Sequence, residues 1–213
     1  GYPKGIDFGT RVGSRTEEGR ELFRLYSDNA IVLGDEKFAQ ISEAVAANDM
    51  AVVVGIIERR GGTLNCTALG FERDGSLLGA HRKLMPTAME RLIWGMGDGG
   101  DLPIMDSSAG RLVSAICWEN YMPHLRAYYY DHQPDFYCAP TVDDRTVWVP
   151  SMQHIAIEGR CFVLSACQYQ TRGMIAMGPD QYDAREGNDP DVMLINGGSC
   201  IVSPMGELLA GPV

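Results

Sequence analysis

The chain has 213 residues, 45% of them hydrophobic and 22% charged, with a formal net charge of -10 at pH 7. That composition suffices for one globular domain with a sizeable core, and its acidity argues against a nucleic-acid partner or an anionic membrane surface. No apolar run reaches the ~20 residues of a membrane span and no signal peptide opens the chain, so the expected location is cytoplasmic.

Taken in order, Gly1 to Gly13 reads as a glycine-rich loop. Ser14-Arg15-Thr16-Glu17 predicts a capping box, followed by Leu22, Leu25 and Tyr26 at helical spacing. A second helix is expected from about Asp35 to Asn48, with Phe38, Ile41, Ala44 and Val45 on one face. Met50 to Ile57 is a continuous apolar run, expected as a strand buried on both faces. Thr63 to Phe71 is another strand, and the turn at Asp74-Gly75 returns Ser76 to His81 as its hairpin partner. Arg82 to Asp101 lacks periodicity, and loops of such length inside a compact domain tend to carry function. A second hairpin joins Pro103–Asp106 to Arg111–Cys117 around Ala109-Gly110. Helices are expected at Pro123–His132 and Trp148–Gly159, and strands at Phe136–Ala139, Phe162–Gln168, Ser199–Ser203 and Glu207–Ala210. Thr171 to Val192 reads as a polar surface excursion. Hairpin strands followed by strands alternating with helices indicate an α/β fold, sheets covered by helices, in one domain over residues 1–213.

The chemistry centres on Leu112-Val113-Ser114-Ala115-Ile116-Cys117, an apolar strand that ends in a cysteine just as polarity rises. A strand tip holds a reacting atom rigidly at the mouth of a cleft. Taken alone, Cys117 reads equally as a buried core thiol. Lys83 ends the strand of the first hairpin, and Glu90 stands in the long loop beyond it. A thiolate nucleophile needs a nearby cation, a developing anion needs a positive charge, and a carboxylate orients that cation or moves a proton. The six cysteines form no CxxC pair and the four histidines show no ligand spacing, so reduced thiols and no zinc site are expected.

Several segments resemble the nitrilase branch of the carbon-nitrogen hydrolase superfamily. His81-Arg82-Lys83-Leu84-Met85-Pro86-Thr87 is similar to the family's lysine motif, and Met89-Glu90-Arg91 with Trp94-Gly95 and Gly97-Asp98-Gly99 to the loop after it. Cys117-Trp118-Glu119-Asn120-Tyr121-Met122-Pro123 resembles the cysteine motif. Cys138-Ala139-Pro140-Thr141 and His154-Ile155-Ala156-Ile157-Glu158-Gly159 resemble the elements that follow, so the match runs along essentially the whole chain.

That resemblance implies a four-layer α-β-β-α sandwich, truncated at both ends. It implies hydrolysis of a small nitrile to the carboxylic acid and ammonia through a cysteine thioimidate and thioester. Cys117 matches the nucleophile, Lys83 the catalytic lysine and Glu90 the additional loop glutamate. Trp118, Glu119, Trp94 and Tyr121 are the expected substrate contacts, and Asp143, Asp144 and Arg145 are candidates for the pocket border. No cofactor or metal is implied. The helices carrying Tyr128 and Tyr129 and His154 to Glu158 resemble the family's subunit contact, implying a homodimer or larger assembly. An amide hydrolase using the same residues is the alternative, as is a catalytically silent oligomerising fragment. A cysteine–histidine hydrolase using His124 is a weaker one.

Two departures stand out. The family's general-base glutamate is expected a few residues before Gly1, and Gly1-Tyr2-Pro3-Lys4-Gly5 resembles the segment just after it; Glu17 and Glu18, on a predicted helix, are poor substitutes. Val113 stands where the family usually has glycine.

Overall fold

Polar caps set the first two helices in the computed structural model, which describes residues 16–100, 102–174 and 189–213. The Thr16 hydroxyl accepts from the Gly19 amide and opens α1 (Glu17–Asn29). Asp35 caps α2 (Glu36–Asn48) in the same way, accepting from the Phe38 amide at 2.8 Å. Ser14 of the expected capping box lies outside the described residues, as do the opening loop and most of the expected 171–192 excursion.

The first sheet is antiparallel, in the order β1 (Val52–Arg60), β2 (Thr63–Phe71), β3 (Leu77–Arg82). Side chains alternate across it. Phe38, Ile41 and Val45 of α2 pack on Ile56, Leu69 and Phe71, which point to one face. Ala68 and Cys66 point to the other. The expected double-sided burial of β1 does not hold. Val52, Val53 and Val54 are only partly buried and Gly55 is exposed, because β1 is the outer strand of this sheet among the described residues.

The second half of the chain builds β4 (Met105–Ser107) and β5 (Gly110–Ser114), then α3 (Pro123–Asp131), β6 (Phe136–Cys138), α4 (Trp148–Gly159) and β7 (Phe162–Ser165). Proline at the first position of α3 sits where its missing N–H is harmless. A short ribbon of β8 (Tyr169–Thr171) and β9 (Met193–Asn196) follows, then β10 (Cys200–Val202) and β11 (Leu208–Ala210). The second sheet runs β11-β10-β7-β6-β5-β4. Strands β5, β6 and β7 are parallel, and α3 and α4 are their crossovers. Leu125 and Tyr129 of α3 and Trp148, Met152 and Ile155 of α4 pack in one core with Val113, Tyr137 and Val163 of the sheet.

The two sheets approach closely where glycine faces glycine. Gly70 of β2 pairs with Gly79 of β3, and the buried Met105 fills the space in front of both. A Cβ on Gly70 would collide with the Met105 sulfur, and one on Gly79 would lie 2.8 Å from Pro103 Cβ. Helix, sheet, sheet and helix thus stack as the expected four-layer α-β-β-α sandwich.

Candidate active site

The parallel ladder continues past its strands. Ala115 donates to the Cys138 carbonyl, Cys117 to that of Pro140 and Thr141 to that of Ala166, at 2.9 to 3.0 Å. Cys117 then turns the chain out of the sheet with φ of 54°, a left-handed conformation that costs an L-residue roughly 1–2 kcal/mol. The short helical turn Cys117–Tyr121 holds it there. The Asn120 amide donates to the carbonyls of Ala115 at 2.9 Å and Cys117 at 2.7 Å. Strain braced by hydrogen bonds in this manner is typical of functional positions.

Lys83 comes from the other sheet. Its backbone prolongs β3, donating to the Cys66 carbonyl at 2.8 Å. Its side chain is 1% exposed. Nζ donates to Glu90 Oε2 at 2.6 Å and to the Thr87 hydroxyl at 3.3 Å. The same carboxylate oxygen accepts from the Thr87 amide at 2.6 Å, which pins the loop between the two charged groups. Nζ also lies 5.9 Å from the Trp94 ring centroid, within reach of a cation–π attraction.

Cys117, Lys83, Glu90 and Trp94 line one cavity of about 300 Å³, between the ends of the parallel strands and the first sheet. Cys66 and Thr141 line it too. Burial pushes the Cys66 thiol up to about 12, with the Lys83 charge opposing only part of that shift.

The remaining expected site residues lie elsewhere. Trp118 is 46% exposed, its ring 5.1 Å from the Arg145 guanidinium carbon and edge-on to Tyr121. Tyr121 in turn packs edge-on to Trp148. Glu119 is fully buried beneath the cysteine turn. None of these three lines the cavity with Cys117. Asp143, Asp144 and Arg145 border a separate hollow. Burial raises the Asp143 carboxyl, but the hydrogen bonds from Arg145 outweigh it and leave it below the usual range. His124 is exposed on α3, away from the cavity. Thr87 and His81 carry bonds that sequence reasoning did not assign. The Thr87-to-Glu90 spacing of a capping box was the available signal for the first.

The family model for carbon-nitrogen hydrolases matches residues 19–212. The chain belongs to the carbon-nitrogen hydrolase family. It is 54% identical over 212 residues to a nitrilase of Bradyrhizobium diazoefficiens, covering 100% of this chain and 65% of that protein. It is 49% identical over 212 residues to an aliphatic nitrilase of Sinorhizobium fredii, covering 100% of this chain and 68% of that protein. The chain spans about two thirds of the length of these curated relatives. Among solved structures, a carbon-nitrogen hydrolase from Helicobacter pylori G27 superimposes with a TM-score of 0.70 at 20% identity, covering 90% of this chain and 66% of that one. This last likeness concerns the fold. In this member of the family Val113, where the resemblance leads one to expect glycine, is fully buried and packs in the core with residues of α3 and α4.

Proposed function

We propose that this chain carries the thiol and the ammonium of a nitrilase. The observation that supports this most is one cavity holding a cysteine in a left-handed turn beside a buried lysine that is hydrogen-bonded to a glutamate. Similarity to proteins named as nitrilases favours a nitrile as the substrate.

In this reading the Cys117 thiolate attacks the nitrile carbon and forms a thioimidate. Water adds, ammonia leaves, and a thioester remains. A second water releases the acid, so one nitrile and two waters give one acid and one ammonia. Lys83 stabilises charge on the nitrile nitrogen and in the tetrahedral intermediates. Glu90 keeps the ammonium aimed at the cavity. Trp94 forms an apolar wall against which the substrate chain packs. The backbone N–H of Trp118, in the first turn after the nucleophile, is a further donor toward the reacting nitrogen. Exposed Tyr128 on α3 and Ile157 on α4 support self-association through these helices.

The test uses the longest natural protein that contains this chain. Cys117→Ala abolishes ammonia release from nitriles, Lys83→Ala lowers kcat by about 100- to 1000-fold, and Glu90→Gln lowers it by a smaller factor. Turnover by Cys117→Ala at the parent rate overturns the reading. A carboxamide hydrolysed far faster than its nitrile transfers the same residues to the amide-hydrolase alternative.

A further inference from the structure

Glu119 joins two stretches far apart in sequence. Its Oε1 accepts from the Leu84 amide at 2.6 Å, and its Oε2 accepts from the Ile116 amide at 2.6 Å and from His81 Nε2 at 2.8 Å. Leu84 directly follows Lys83, and Ile116 directly precedes Cys117. His81 lies two residues before Lys83 on β3 and, like Glu119, is fully buried. One carboxylate therefore ties the backbone that aims the ammonium to the backbone that aims the sulfur.

The His81 ring supplies a second, independent observation. With Nε2 donating to Glu119, Nδ1 is buried with no hydrogen-bond partner. An unmet buried acceptor is unfavourable. The imidazole is thus placed for the one bond it makes, and its rigid ring, edge-on to Tyr129, holds that donor still.

We infer that Glu119 and His81 form a clamp that sets the separation and orientation of Cys117 and Lys83. They are positioning residues that touch no substrate. The inference rests on the reading of Cys117 and Lys83 as nucleophile and ammonium. A glutamine at position 119 satisfies these donors incompletely, because its NH2 must face at least one N–H. Alanine at position 81 removes one donor, whereas glutamine there presents an amide N–H close to where Nε2 stood.

The variants His81→Ala, His81→Gln and Glu119→Gln are compared in the longest natural protein containing this chain. The folded fraction is normalised by near-UV circular dichroism. His81→Ala is expected to lower kcat by about 10- to 100-fold with KM within about threefold, as small misplacements of reacting groups do. It also slows iodoacetamide labelling of Cys117, read by peptide mass spectrometry, by a similar factor. His81→Gln restores most of both. Glu119→Gln, where folded, loses at least as much as His81→Ala.

If His81→Ala and His81→Gln behave alike, or if Cys117 labels at the parent rate in both His81→Ala and Glu119→Gln, the clamp is refuted. If the parent releases no ammonia, the nucleophile reading falls. The labelling ratios then still report whether the clamp orients the thiol. Should Glu119→Gln fail to fold, the His81 pair decides.

Discussion

Cys117 shares its low exposure with most of the other thiols, and the differences lie in what surrounds each sulfur. Burial raises Cys66 and Cys138 to about 12 and Cys161 to about 11, and it lifts Cys200 as well. A low-dielectric surrounding disfavours the thiolate, the form that attacks an alkylating agent. A thiol at about 12 is thiolate to only roughly one part in ten thousand at pH 8. Cys117 instead faces the cavity that holds the Lys83 ammonium. Brief iodoacetamide treatment at pH 8 is therefore expected to label Cys117 while Cys66, Cys138, Cys161 and Cys200 stay intact. The sign follows from the raised values: these thiols are protonated below their pKa and become reactive only above it. Stepping the pH toward 11 should recruit Cys161 before Cys66 and Cys138. Peptide mass spectrometry reads the order, and labelling of Cys66 at the Cys117 rate at pH 8 contradicts it.

The glycine pair between the sheets decides how closely strands that carry Lys83 approach strands that carry Cys117. Met105 is 1% exposed and Pro103 is rigid, so neither yields readily to an added methyl. Gly70→Ala and Gly79→Ala are each expected to destabilise the fold by about 1–3 kcal/mol, the range for overpacked cores. Gly62→Ala, where a Cβ would meet nothing within 4 Å, serves as the control and is expected to change little. Urea denaturation measures all three, and parent-like midpoints for Gly70→Ala and Gly79→Ala would show that the sheets have slack. This scale also shows what the sequence discloses. Helix Trp148–Gly159 and strand Thr63–Phe71 coincide with their expected bounds, because apolar period and turn residues agree there. Strand β9 is not legible in the sequence, although Gly197-Gly198 mark the turn after it, because four residues are too few to show a period and among the described residues Met193–Asn196 pairs with the still shorter β8. The expected Phe162–Gln168 strand stops at Ser165 because the chain leaves the sheet to border the cavity through Ala166 and Gln168. At the site, the lysine and cysteine motifs are legible as motifs, but the direction of their side chains is not. A tight helical turn rotates successive residues by about 120°. Trp118 consequently points to the surface and Glu119 into the interior, although both adjoin Cys117 in sequence.

At the scale of the whole molecule the open question is where the protons go. In each turnover nitrogen takes up the thiol proton and both protons of the first water, and the second water returns a proton to the thiol as the acid leaves, so a positioned acid–base group is needed in the cavity. Glu58 is tied to Arg82 and Thr67 at 2.8 Å on the helix side of the first sheet. Glu119 is committed to its three donors. Glu90 lines the cavity, yet one of its oxygens already holds both Lys83 and the Thr87 amide. Among the described residues no other glutamate or aspartate lines that cavity. The family resemblance implies a further, general-base glutamate, and we propose that it lies in sequence before Gly1 in a longer protein. The 213-residue chain expressed alone should still fold and label selectively at Cys117. It should release ammonia from nitriles more slowly than the longer protein by about 100- to 10,000-fold, the usual contribution of a positioned base. Replacing the upstream glutamate by glutamine in the longer protein should reproduce the deficit. Equal rates for the short and long chains would instead assign the proton work to Glu90, and Glu90→Gln would then abolish turnover in both.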